Sequence, residues 1–199
     1  MKKLILICSI ILFSIFNSNA QNWSEIIKTV SSDRATEDFY GYAVAISGNY
    51  AVIGAVEEDD DVLGMNTMAE AGAAYILEMN GSGVWTEVQK IVASDREIGA
   101  KFGYDVAISG DYLIVSARVE GKDALGNNPL IRAGAAYIFE RDGGGVWYET
   151  EKIVASDRAV NDYFGVSVSI SGTYAVVSTQ YEGADENGLN TLSGAGSAY

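Results

Sequence analysis

The feature that most constrains how this 199-residue chain can fold is a period. Ser32-Asp33-Arg34 returns as Ser94-Asp95-Arg96 and again as Ser156-Asp157-Arg158, a step of 62 residues each time. Gly41, Gly103 and Gly165 keep that step, as do Tyr50, Tyr112 and Tyr174, and Trp23, Trp85 and Trp147. The run Ala71 to Tyr75 recurs at Ala133 to Tyr137 and at Ala195 to Tyr199. A repeat of this length is one supersecondary unit that must stack on its neighbours to bury an apolar face. The units run over about 22–83, 84–145 and 146–199.

Each unit reads as four short strands. In the first they are Tyr42 to Ile46, Tyr50 to Val56, Ala73 to Met79 and Trp85 to Val92, with a Ser-Gly-Asn turn and a Gly-rich hairpin between pairs. Tyr, Val and Ile dominate these runs, as expected of strands. Four antiparallel strands per unit, repeated radially, predict an all-β propeller of four-stranded blades. Three blades fall short of the roughly four to eight of a closed ring, so the chain reads as a fragment. A leading fourth-type strand at Trp23 to Val30 is expected to complete the last blade and remove an open edge.

Residues 1–20 read as a secretory signal peptide: Lys2 and Lys3, an apolar run from Leu4 to Phe16, and Ser18-Asn19-Ala20 as a small-residue cleavage site. Cleavage before Gln21 would remove Cys8, the only cysteine, leaving neither a disulfide nor a thiolate nucleophile. The predicted location is outside the cell or on its surface, without membrane insertion after cleavage. A formal net charge of -14 disfavours nucleic acid and anionic lipid as partners. The 48% hydrophobic content argues against disorder despite that charge. Histidine is absent, which excludes a Ser-His-Asp triad and imidazole metal ligation, and no carboxylate pair is singled out, so no enzyme is expected.

The pattern Phe102-Gly103, Ile108-Ser109-Gly110-Asp111-Tyr112, Ser116-Ala117 and Gly134 to Phe139 resembles the bacterial form of the FG-GAP repeat, distantly similar to the propeller of the integrin α-subunit head. Phe-Gly survives as Phe102-Gly103 and Phe164-Gly165 and becomes Tyr40-Gly41 in the first copy. Gly-Ala-Pro persists only as Gly54-Ala55, weakening to Ser116-Ala117 and Ser178-Thr179. The resemblance implies a ring of about seven blades. The interval between the two elements holds only tight turns here, so the integrin calcium loop is not carried over.

Direction reversal puts the long loops, those after strands two and four, on one rim, which becomes the expected recognition surface. Within the strand-two loops Glu58, Glu120 and Glu182, then Asp61, Asp123 and Asp185, then Gly64, Gly126 and Gly188, then Asn66, Asn128 and Asn190 keep register. Such oxygen donors suit calcium. Equally, Asp and Asn can bond their own backbone in a turn while Gly supplies positive φ. Arg34, Arg96 and Arg158 are either ligand contacts or bridges between blades. Asp142-Gly143-Gly144-Gly145-Val146-Trp147 has Asp-box spacing but reads as a stabilised hairpin. Phe39, Tyr40, Tyr163 and Tyr181 are candidate anchors. The functional expectation is a binding or adhesion module for an extracellular protein or glycan. The alternatives are a scaffold presenting another domain, or the non-catalytic part of a propeller enzyme.

Overall fold

A computed structural model describes residues 27–185, 187–189 and 191–199. The predicted leader and the start of the predicted leading strand lie outside these residues. The first sheet comprises β1 (Tyr40–Ser47), β2 (Tyr50–Ala55), β3 (Ala73–Met79) and β4 (Trp85–Ile91). The second comprises β5 (Phe102–Ser109), β6 (Tyr112–Ala117), β7 (Ala135–Arg141) and β8 (Trp147–Ile153). The third has β9 (Ser167–Ser171), β10 (Tyr174–Thr179) and the short β11 (Ser197–Ala198). Each sheet is an antiparallel meander in chain order, and the described residues contain no helix.

The turns explain the meander. Ser47 pairs with Tyr50 across a two-residue hairpin whose first central residue, Gly48, has φ +57, and Gly110 repeats this at φ +59. A left-handed first central residue matches the turn to the twist of the flanking strands. At the other hairpin, Asn80 Oδ1 accepts the N–H groups of Ser82 and Val84, and Asp142 Oδ1 those of Gly144 and Val146. The Asp-box-like spacing thus closes a hairpin here.

The sheets stack face to face, with β1 beside β5 and β5 beside β9. Alternation along β6 sends Leu113 and Val115 to the face shared with Val52, Ala74 and Ile76 of the first sheet. Ile114 faces the other way, onto Phe164 and Val168 of the third. Both faces of the middle sheet are therefore covered, which is why β6 reads as a continuous apolar run. On the outer face of the first sheet β3 is buried at Tyr75 and Leu77, but β1 is open there: Val44 and Ile46 are 70% and 67% exposed, whereas Val106 and Ile108, one repeat later, are 4% and 8% exposed. Residues 27–30 are not in a strand, a departure from the predicted leading strand. β4 and β8 each pair with the third strand of their own sheet.

Sheet-to-sheet spacing is set where the Phe-Gly element of one repeat meets the Gly-Ala element of the one before. Phe102 N donates to Ala71 O at 2.9 Å, and Gly72 forms a parallel bridge with Phe102. Gly103, at φ +85, lies so close to the first sheet that an added Cβ would overlap the carbonyl oxygen of Ala73. A Cβ on Gly54 would in turn overlap the carbonyl of Gly103. Phe102 is buried edge-on against Tyr137 and Phe139. Gly103→Ala, which adds both left-handed strain and overlap, is expected to cost about 3 kcal/mol. Gly48→Ala, left-handed but with nothing within 4 Å of the new carbon, is expected to cost about 1 kcal/mol. Paired thermal and urea unfolding of the two variants checks this contrast, and equal losses would contradict it.

Candidate functional site

The recurrent glutamates turn inward. Glu58 is buried, with Oε1 accepting the Asp60 N–H at 2.9 Å and lying 3.1 Å from Lys90 Nζ. Lys90 Nζ also lies 2.6 Å from Asp33, and the Tyr75 hydroxyl sits between Asp33 at 2.7 Å and Glu58 at 2.9 Å. One repeat later the cluster is rebuilt: Lys152 lies 2.7 Å from Asp95 and 3.3 Å from Glu120, with the Tyr137 hydroxyl 2.8 Å from Asp95. In the third copy Tyr199 donates to Asp157 at 2.5 Å, and buried Glu182 accepts the Ala184 N–H. Burial opposes ionisation of Asp33 and Asp95, yet hydrogen bonds from the lysine and tyrosine hold both carboxyls below their usual range. Burial first, then the neighbouring acids, pushes the Tyr75 and Tyr137 hydroxyls far above theirs.

The recurrent aspartates close their own loops. Asp61 Oδ1 accepts the N–H groups of Leu63 and Met65 at 2.8 and 3.0 Å, and Asn66 Nδ2 donates to its other oxygen. Asp123 repeats this with Leu125, Asn127 and Asn128, and Asp185 accepts from Asn187 and Leu189. Asn190 lies outside the described residues. Gly64, Gly126 and Gly188 take positive φ, as do Asn66 and Asn128. The structure thus brings Asp61 to Asn66 and Asp123 to Asn128, but directs Glu58 and Glu120 to the lysines. Among the described residues no group of three or more acidic, His or Cys side chains is placed to hold a metal ion. In the first two loops the Asp61 and Asp123 oxygens are taken by their own loops' N–H groups and are not gathered with Glu58 and Glu120 around one point, as the roughly six to eight oxygens of a calcium site would be.

Arg96 donates to the carbonyls of Asn66 at 2.9 Å and Asp59 at 2.5 Å, and Arg158 donates to that of Gly121. Both arginines stitch the following repeat to the preceding loop, while Arg34, in the first copy, is exposed. Of the candidate anchors, Tyr40 packs edge-on against Tyr75, and Phe39 is exposed.

Tyr163 and Tyr181 are brought together, with ring centroids 5.5 Å apart, at a place where the repeat is broken. Backbone bonds from Asn161, Tyr163 and Phe164 to the carbonyls of Ile131, Arg132 and Ala133 zip the third unit's entry loop onto the second unit's long loop. That zipper sets Tyr163 beside Arg132, and Arg118 leaves the end of β6 beneath them. The Arg118 guanidinium lies over Tyr104 at 4.3 Å and over Tyr163 at 5.2 Å, and Tyr104 meets Tyr42 at 5.2 Å. The result is a ladder, Tyr42, Tyr104, Arg118, Tyr163 and Tyr181, running across all three sheets on the long-loop rim. Its last part opens into a cleft of about 560 Å³ lined by Arg118, Arg132, Asn161, Tyr163, Tyr181 and Ser193, among others. One repeat earlier the equivalents of Arg118, Arg132, Tyr163 and Tyr181 are Val56, Glu70, Lys101 and Val119. There Lys101 is neutralised by Glu57 at 2.6 Å and Glu70 at 2.7 Å. Left-handed φ at Arg132, Asn161 and Tyr163 does not mark the cleft, because Glu70, Gly99 and Lys101 share it. Arg118 and Arg132 were not singled out by sequence reasoning; subtracting the repeat from itself would have exposed them.

Antiparallel meanders stacked inner strand on inner strand define a propeller-type repeat protein. Comparison with known families gives the narrower assignment: the FG-GAP repeat matches residues 23–77, 85–139 and 147–199. The chain belongs to the FG-GAP repeat family. No curated protein matches it.

Lys152→Met would strand Glu120 and Asp95 without their counter-ion, and is expected to destabilise the chain by roughly 3–5 kcal/mol. Adding Glu120→Gln should recover part of that loss in denaturant titrations; a double variant weaker than the single would contradict the pairing. A second prediction concerns Asp162, whose carboxyl is pushed up to about 6 by burial and the nearby Glu182 and Asp157, against a hydrogen bond from the Ala159 N–H. A raised carboxyl contributes stability that is complete below the unfolded value of about 4 and is lost as pH rises through the folded one. The melting-temperature difference between wild type and Asp162→Asn should therefore shift against wild type between about pH 4 and pH 6. A difference that stays flat across that window would contradict the assignment.

Proposed function

We propose that this FG-GAP repeat chain is an exported binding module that contacts an extracellular protein or glycan through its long-loop rim. The single observation that carries this is the departure from the repeat at that rim. Residues identical in every copy build the fold, whereas a ligand site on a quasi-symmetric scaffold needs residues that differ. The ladder from Tyr42 to Tyr181 combines flat rings and a guanidinium, the side chains that most often anchor an interface. Export is supported by the leader pattern at residues 1–20 and by the cysteine-free remainder.

N-terminal sequencing of the protein recovered from the extracellular fraction is expected to begin at Gln21. Surface plasmon resonance against a panel of extracellular glycans and matrix proteins is expected to show binding that Tyr181→Ala weakens at least about ten-fold. Tyr148→Ala, on an exposed tyrosine beside the short hairpin at the opposite rim, should leave it within about two-fold. Binding lost with Tyr148 and kept without Tyr181 would place the surface on the wrong rim.

A further inference from the structure

The cleft between the second and third sheets has an electrostatic character opposite to that of the rest of the chain. The sequence holds 27 acidic against 13 basic residues, yet the residues lining this cleft include two arginines and no acid. Among the described residues neither Arg118 nor Arg132 forms an ion pair, and Arg118 Nε is buried without a hydrogen-bond partner. Of the other arginines, Arg34 is exposed, Arg96 and Arg158 are committed to backbone carbonyls, and Arg141 to Asp111. The equivalent place one repeat earlier is neutralised from within by Glu57, Glu70 and Lys101. Two guanidiniums free of any acid partner among the described residues, Arg118 held in the tyrosine ladder and Arg132 exposed, present planar forks that match a carboxylate in two-point geometry.

Beside them stand the rings of Tyr163 and Tyr181, tilted 59° to one another. An aromatic face carries negative potential, which suits the C–H groups along one face of a pyranose ring. Ser193 and Asn161 line the same cleft with a hydroxyl and an amide, the groups that bond sugar hydroxyls. An extended peptide would need a free strand edge or a deep apolar slot for its side chains, and this cleft has neither: its backbone N–H groups at Asn161, Tyr163 and Phe164 are already bonded to the neighbouring loop. The volume of about 560 Å³ falls in the range of small-ligand sites.

We propose that this cleft binds a carboxylate-bearing saccharide, a uronic acid residue within a glycan chain, with its carboxylate on Arg118 and Arg132 and its ring face on Tyr163 and Tyr181. The assignment rests on the rim-binding function proposed above and names its ligand class. Calorimetric titration of the full chain with oligogalacturonate, a neutral gluco-oligosaccharide of equal length and an oligoglutamate peptide tests it. The uronate is expected to bind, and added salt to weaken it as screening grows. Arg118→Ala should weaken binding roughly 30-fold. Arg118→Lys, which keeps the charge but not the planar fork, should recover only part of it. Arg132→Ala, at an exposed position, should weaken binding without lowering the melting temperature, separating recognition from folding. Equal affinity for the neutral oligosaccharide, or binding of the peptide in place of the uronate, would overturn the ligand class. If such binding still falls with Tyr181→Ala, the rim reading survives the loss of the uronate. Binding insensitive to every rim variant would sink both.

Discussion

The whole arrangement depends on how closely one repeat's backbone can approach the next. Gly103 sits against the first sheet with no room for a side chain, and Gly54 faces it with none either. This contact sets how near the Phe-Gly corner of β5 comes to β2 and β3, and so where Phe102 enters the core beside Tyr137 and Phe139. The second interface repeats the scheme with a variation. Ser116 stands where the first repeat has Gly54; its hydroxyl accepts the Asp105 N–H at 2.9 Å, and its Cβ lies where a Cβ on Gly165 would have to go. Weakening of the Gly-Ala-Pro element in sequence therefore changes the group at the contact while keeping the contact itself.

Above that packing, the lysine, tyrosine and glutamate recur as a buried unit with a partly exposed aspartate at its rim. Each Glu also caps the start of its own long loop, through the N–H two residues on. Charges this well enclosed gain little net stability over apolar packing. What they do is hold each loop's first residues against the strands beneath it. Asp61 and Asp123 then organise the distal halves of the first two loops through two backbone N–H groups and an asparagine amide each. The acidity of this rim is largely internal wiring, and it explains how long polar loops can stand on a narrow sheet end without helices to brace them.

Much of this was legible in the sequence because it is periodic. Strand number, strand order, the hairpins and the long-loop rim all followed from the 62-residue step and the alternation within it. The leading strand was misjudged at residues 27–30, since strand formation there needs a partner that periodicity alone does not supply. The acids recur as a set in the sequence, but the direction each one takes was not readable there. Whether Glu58 turns out to a cation or in to Lys90 depends on Tyr75 and Lys90, residues that look like ordinary strand positions until the sheet brings them together.

The aromatic ladder illustrates the opposite case, in which the informative residues are those the period fails to predict. Tyr163 and Tyr181 are far enough apart in sequence to look unrelated, and Arg118 is a single cation at the end of a strand. Their meeting depends on the backbone zipper between residues 131–133 and 161–164, which has its counterpart between residues 69–71 and 99–102 at the first junction. The scaffold therefore offers the same backbone frame at both junctions, and the side chains standing on it differ. At the first junction Lys101 is paired with two glutamates; at the second, two arginines and two tyrosines line a cleft with no acid among its lining residues. A repeat fold can thus change the side chains at one junction without disturbing the backbone contacts that hold the others.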